Sequence, residues 1–218
     1  MVPLALCPRA GDPLAILCLG AHADDIEIGA GGAVLTLLER YPGSRVLWVV
    51  FSATPRRTEE ARCSAAVFLE GAGSAEVAVH DFQDGFFPSE FRPMKQVFEG
   101  MKAFSPDLVL THHKADYHQD HGVIAELTWN TFRDHLILEY EVPKYDPDLA
   151  NPNVFIPLTH QIADAKISAL LAHFPSQRSR RWFARETFLA MMRIRGVQAA
   201  ASSGLAEGFY APKLHLLP

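Results

Sequence analysis

With three cysteines in 218 residues, Cys7, Cys18 and Cys63, and no CxxC pair, the chain lacks the material for a disulfide framework or a cysteine-held zinc. So few thiols fit a reducing compartment, and Cys18, inside an apolar run, reads as a small core residue. No apolar run approaches the ~18 residues a membrane-spanning helix needs. Met1 to Gly11 has no basic cluster ahead of an apolar stretch, so it does not read as a signal peptide. These absences make the cytoplasm the expected location. A basic stripe is also missing. The formal net charge is -5 and the pI is near 6.0, which counts against a nucleic-acid partner. The densest basic run, Arg178, Arg180, Arg181 and Arg185, has the spacing of a solvated helix face. No internal repeat, low-complexity segment or linker is present. The glycines at 29, 31 and 32 do not make a GxGxxG.

What is present is a globular balance, 49% hydrophobic and 21% charged residues. The length suits one core, so one domain over residues 1–218 is expected. Leu14 to Ala21 and Arg45 to Ser52 are continuous apolar runs, the pattern of strands buried on both faces. Glu76 to Val79, Asp107 to His112 and Leu136 to Tyr140 read as further strands. Helical patterns run over about 29–40, 57–70, 94–104, from His121 to about Asp134, 159–172 and 180–198. Asp81 to Pro93 reads as a loop. Glu141 to Pro157 holds four prolines and reads as irregular. Strands alternating with helices predict an α/β fold, a mostly parallel sheet with helices on both faces.

Two polar clusters then stand out. His22-Ala23-Asp24-Asp25 directly follows the first strand, and His118-Gln119-Asp120-His121 comes shortly after the fourth. In open α/β sheets, ligands bind beyond the carboxyl ends of the strands, where strand order reverses. In the common winding order the first and fourth strands flank that point. A catalytic zinc takes about three His or carboxylate ligands and keeps a position for water. His22, Asp25 and His121 would supply three ligands and leave Asp24 as a free carboxylate to take a proton from water. His118, about one turn before His121, would face the same side and stabilise an oxyanion. Asp120 would accept a hydrogen bond from a histidine and fix its tautomer. Taken singly, an Asp-Asp pair is usually a cap and an HxxH is usually incidental. Their pairing at two strand ends is what points to a metal.

Ala21 to Gly29 (AHADDIEIG) resembles the AHPDD signature of the PIG-L/LmbE-like zinc-dependent N-acetylglucosamine deacetylases, and His118 to His121 resembles that family's HxDH motif. Softer matches follow in order: Arg57 to Ala61, Lys166 through His173 to Ser176-Gln177, Arg195-Gly196 and Ala206 to Phe209. The resemblance spans about residues 14–215. It implies a Rossmann-like fold and a metal-dependent hydrolase that removes an N-acetyl group from an N-acetylglucosamine-type sugar or conjugate. By position, His22, Asp25 and His121 would hold Zn2+, with Fe2+, Mn2+ or Co2+ as alternatives. Asp24 would be the general base, His118 the oxyanion donor held by Asp120, and Arg57 a substrate contact, with Arg56 as its neighbouring competitor. The partner would be a small acetamido-sugar substrate, and the family favours a homo-oligomer, with 141–157 as the candidate contact. Ala23 stands in place of the family's proline, without removing a ligand. Leu205 replaces a common aromatic, which leaves the sugar-stacking surface open.

The bland reading covers the remaining candidates. His112 and His113 read as a strand-end pair, one partly buried, and His80 and His135 as surface residues. His173 reads as a helix-end histidine or a pocket residue. Phe82, Phe86 and Phe87 read as packing, and Glu27 as an entrance residue or the partner of a surface base. Two other functions stay open: an amidase on a larger sugar-thiol or antibiotic conjugate, and a non-catalytic sugar- or nucleotide-binding module suggested by the glycine run.

Overall fold

The computed structural model describes residues 4–6 and 13–215. Cys7 and most of the Met1 to Gly11 segment lie outside the described residues. Seven strands and six α-helices follow in chain order: β1 Ala15–His22, α1 Asp25–Arg40, β2 Arg45–Ser52, α2 Pro55–Phe68, β3 Ser74–Val79, α3 Phe91–Met101, β4 Leu108–His112, α4 Gln119–Thr131, β5 Leu136–Tyr140, β6 Val154–Pro157, α5 His160–His173, α6 Arg185–Gln198 and β7 Ala206–Tyr210. They form one sheet of order β3-β2-β1-β4-β5-β7-β6. The first five strands are parallel, and β7 and β6 join antiparallel. The order reverses between β1 and β4, as the winding argument requires.

The apolar runs are continuous because both faces of the sheet are covered. Successive side chains on a strand point to opposite faces. Ile16 and Cys18 of β1 join one core with Trp48, Val50, Leu110 and Tyr140, beneath α1, α2, α5 and α6. Leu17 and Leu19 join the other with Val49, Phe51 and Val109, beneath α3 and α4. Each large apolar side chain that is fully buried contributes about 1.5–3 kcal/mol. The strand ends that carry the polar clusters are therefore pinned from two sides. No helix among the described residues is long and apolar enough to cross a membrane.

The structure departs most from the sequence reading in four places. Helix α1 begins at Asp25 rather than near Gly29, because its first turn is polar: Asp24 is the N-cap, and Asp25 and Glu27 place acidic charge at the helix start. The reading of 141–157 as irregular overlooked β6, which ends at Pro157. As an edge strand it tolerates a residue with no N–H to donate. Strand β7 was hidden in the tail because AEGFY contains a buried charge and a glycine rather than β-branched residues. The Arg178 to Arg185 run is not a helix face. Helix α6 starts at Arg185, and the three preceding arginines lie in an irregular turn.

Candidate metal centre

His22 is the last residue of β1, Asp24 caps α1 and Asp25 opens it. The cluster is locked locally, since the Asp25 carboxylate (Oδ2) accepts the His22 backbone N–H at 2.6 Å. Across the switch point, β4 leads into a polar loop that ends at His118, the N-cap of α4. The His118 ring Nδ1 accepts the Asp120 N–H at 3.3 Å, and the His118 backbone N–H donates to Asp116 Oδ1 at 2.8 Å. His121 follows in the first turn of α4 and is buried.

These elements bring three donor atoms into a near-equilateral triangle. His22 Nδ1 lies 3.3 Å from Asp25 Oδ2 and 3.3 Å from His121 Nε2, and Asp25 Oδ2 lies 3.5 Å from His121 Nε2. A tetrahedral zinc with bonds of about 2.0–2.2 Å has ligand–ligand separations of about 3.3–3.6 Å. The triangle therefore fits three ligands of such an ion, and all three residues line the cavity. Among the described residues two overlapping donor groups exist, His22 with Asp84, His118 and Asp120, and His112 with Asp116 and His121. We favour the triangle because the other nitrogen of each shared histidine faces a carboxylate that can orient it.

That outer layer is well defined. His121 Nδ1 meets Asp116 Oδ2 at 2.9 Å, which turns Nε2 inwards. His22 Nε2 meets Asp84 Oδ1 at 3.1 Å and Asp120 Oδ2 at 3.4 Å. Burial, then the neighbouring His112, lowers the His121 pKa to about 4, so at neutral pH the imidazole is uncharged with a lone pair free. Burial would lower His22 too, but the Asp25, Asp120 and Asp84 carboxylates hold it well above its ordinary value. Burial would raise Asp25, yet the imidazoles of His121, His112 and His22 hold it well below the usual carboxylate range. This is an environment that draws in positive charge.

Asp24 is buried beside the triangle. Its Oδ1 accepts from Arg57 Nη2 at 2.5 Å, while Oδ2 has no hydrogen-bond partner among the described residues. Burial raises its carboxyl pKa, against the opposing pull of Arg57. Arg57 comes from α2, started by Pro55 and by the Thr54 side chain accepting the Arg57 N–H at 3.4 Å. It lines the cavity as the resemblance implied, but its guanidinium is engaged with Asp24. Arg56, its competitor, is exposed and faces Glu60 at 3.6 Å. Glu60 accepts from Ser176 N (3.0 Å) and Ser176 Oγ (2.5 Å). Helix α2 thus ties the Arg-x-x-Glu motif to the Ser-Gln motif and places Gln177 on the cavity wall. The cavity measures about 320 Å³ and is lined by His22, Asp24, Arg57, His118, Gln177 and Trp182, among others.

Several expectations need correction. His118 is held by the backbone N–H of Asp120, not by its carboxylate. The Asp120 carboxylate instead accepts from Gly85 N (Oδ2, 2.6 Å) and Phe87 N (Oδ1, 3.2 Å), fastening the loop after β3 to the site, and the same Oδ2 also lies 3.4 Å from His22 Nε2. His112 is a strand end, the last residue of β4, but is completely buried rather than partly. Its Nε2 accepts the Ala21 N–H at 2.9 Å and lies 3.2 Å from Asp25 Oδ2. Glu27 is fully buried, not at an entrance, and burial raises its carboxyl well above the usual range. Leu205 is a core residue and does not line the cavity. Neither does His173, the last residue of α5. Asp116 was missed by sequence reasoning. Its signal was a lone acid inside the polar stretch between β4 and α4. Replacing it with Asn is expected to weaken metal affinity about 10–100-fold, because His121 loses the partner that orients it. Chelator competition checks this, and unchanged affinity would remove Asp116 from that role.

The family model described as PIG-L: GlcNAc-PI de-N-acetylase matches residues 17–132. The uncharacterized deacetylase YaiS of Escherichia coli (strain K12) is 28% identical over 190 residues, covering 78% of this chain and 95% of that protein. Among solved structures, N,N'-diacetylchitobiose deacetylase from Pyrococcus horikoshii superposes with a TM-score of 0.71 at 18% identity, covering 95% of this chain and 88% of the other. GalB, the 4-carboxy-2-hydroxymuconate hydratase of Pseudomonas putida KT2440, gives 0.74 at 19% identity, covering 94% and 98%. At these identities the two structures establish the fold alone. That one is a hydratase means the reaction must be argued from the site.

Proposed function

Because the chain belongs to the PIG-L family, we propose that it is a deacetylase that hydrolyses the N-acetyl group of an acetamido sugar or sugar conjugate, with Zn2+ held by His22, Asp25 and His121. The observation that carries this reading is the donor triangle of 3.3, 3.3 and 3.5 Å with a second carboxylate, Asp24, beside it. A divalent ion bound there supplies a Lewis acid for the amide carbonyl and lowers the pKa of water. Fe2+, Mn2+ and Co2+ suit the same donors.

The protein's own groups then divide the work. Asp24 Oδ2, buried and without a hydrogen-bond partner among the described residues, takes the proton of the attacking water and returns it to the departing nitrogen. Arg57, on the other oxygen, keeps that carboxylate facing the cavity. His118 has Nδ1 committed as an acceptor, so its neutral ring carries the proton on Nε2. Burial, then His22, lowers its pKa and keeps it in that form. Nε2–H can therefore donate to the carbonyl oxygen as charge develops there. One amide and one water give one acetate and one amine.

The test is to load the full chain with metal, or strip it with chelator, and offer N-acetylhexosamines and their nucleotide and lipid conjugates. Acetate and free amine in equal amounts, only with metal, are the expected result. One bound metal with no acyl release from any substrate would refute the deacetylase reading. Failure to bind a divalent ion would refute the metal centre itself.

A further inference from the structure

Two of the soft motifs, the lysine of α5 and the Ala-Glu of β7, do not reach the cavity. They converge on helix α1 instead. Lys166 and Glu207 form a buried ion pair, Nζ to Oε1 at 2.5 Å, with side-chain exposures of 3% and 4%. Lys166 Nζ also donates to the Ile28 carbonyl at 2.6 Å. Glu207 accepts from two consecutive backbone groups of the same helix, Gly32 N at 2.9 Å and Ala33 N at 2.7 Å.

In a regular α-helix the N–H of residue 32 belongs to the carbonyl of residue 28. Here each holds a charged partner from outside the helix. The cation lies on the carbonyl that ends the first turn, and the anion lies on the N–H groups that begin the second. Both are the favourable ends for those charges. The ion pair is thus a splice between the first turn, Asp25 to Ile28, and the remainder of α1. The joint is tight, because a Cβ on Gly32 would come within 2.7 Å of Leu158 Cδ1 and 2.9 Å of Glu207 Oε1 and would push both side chains aside. The turn on the near side of the splice carries Asp25. Ile28 completes the relay, its N–H donating to the Asp24 carbonyl at 3.0 Å while its own carbonyl takes Lys166.

We propose that Lys166 and Glu207 are positioning residues for the metal centre, setting the angle of the first turn of α1 and with it the placement of Asp25 and Asp24. This rests on the metal-centre reading above. A purely structural ion pair would affect stability alone. A positioning pair must also affect the ion's affinity and coordination geometry.

The experiment is cobalt and zinc titration of the full chain, by chelator competition and visible absorption of bound Co2+. It compares wild type, Glu207→Gln, the double variant Lys166→Gln/Glu207→Gln and a control, Phe98→Leu, in the core on the opposite face of the sheet. The double variant leaves no buried charge unpaired, so it can fold where the single variant fails. Thermal unfolding identifies which variants are folded. Expected for the folded Lys166/Glu207 variants is a loss of about tenfold or more in affinity, with an altered cobalt spectrum. The control should keep wild-type affinity and spectrum at a comparable loss of Tm. Wild-type affinity and spectrum in the folded double variant would overturn the proposal and leave the metal centre intact. A wild type that binds neither ion would overturn both.

Discussion

Asp24→Asn is expected to lower kcat by about 10²–10⁴, the usual contribution of a positioned general base, or about 3–5 kcal/mol of barrier. The substitution is chosen to change little else. Asparagine keeps an oxygen for Arg57, which now donates to Asp24 Oδ1 at 2.5 Å. The Asp24 side chain makes no capping hydrogen bond to α1, so the helix start is not undone. None of the three triangle atoms belongs to Asp24. Metal content should therefore remain at the wild-type level while acetate release falls, and both are measured on the same sample. Full turnover in the variant would remove Asp24 from its role. Loss of metal along with activity would mean that Asp24 helps to hold the ion.

Gly29→Ala is expected to destabilise the fold and the site together. Alanine ordinarily gains about 1 kcal/mol over glycine inside a helix. At Gly29, however, a Cβ would lie 2.2 Å from Tyr140 Cδ2 and 2.8 Å from the Glu141 backbone carbonyl. The backbone cannot swing aside, and Tyr140 is itself pinned, its hydroxyl donating to the Leu19 carbonyl at 2.6 Å and lying 3.3 Å from His112 Nε2. Overpacking of this kind costs about 1–3 kcal/mol and occasionally more, so the clash outweighs the propensity gain. With the clash at the upper end of that range, less the propensity gain, a net loss of about 1–2 kcal/mol would lower Tm by about 2–8 °C in a chain of this size. Because Tyr140 borders His112, and His112 borders Asp25, metal affinity should fall too. Gly100→Ala in α3 is the contrast. There a Cβ meets nothing within 4 Å, so a gain of about 0.5–1 kcal/mol is expected. Thermal unfolding of the two variants reads both effects, and equal Tm values would refute the packing argument.

Much of this architecture was legible in the residues. The runs LAILCLGA and RVLWVVFS read as doubly covered strands, because they are short and continuous where a half-exposed strand would alternate. Their spacing with helical segments determined a parallel sheet, and the reversal of strand order between β1 and β4 brought His22, Asp24 and Asp25 to face His121. The antiparallel edge was not legible. Strands β6 and β7 are short, and their pairing depends on partners far away in the chain.

What the sequence by itself determined is the chemical inventory and where along the chain it falls, since residue types and strand periodicity are local properties. Tertiary structure alone decided the layer behind it. Asp116 stands behind His121, His112 behind Asp25, and Arg57 against Asp24. The Lys166–Glu207 pair reaches into α1 from elements 138 and 175 residues away in sequence. These are single contacts between distant segments with no periodicity to announce them. Each is settled by burial, because a polar group taken out of water must find a partner wherever the packed elements provide one.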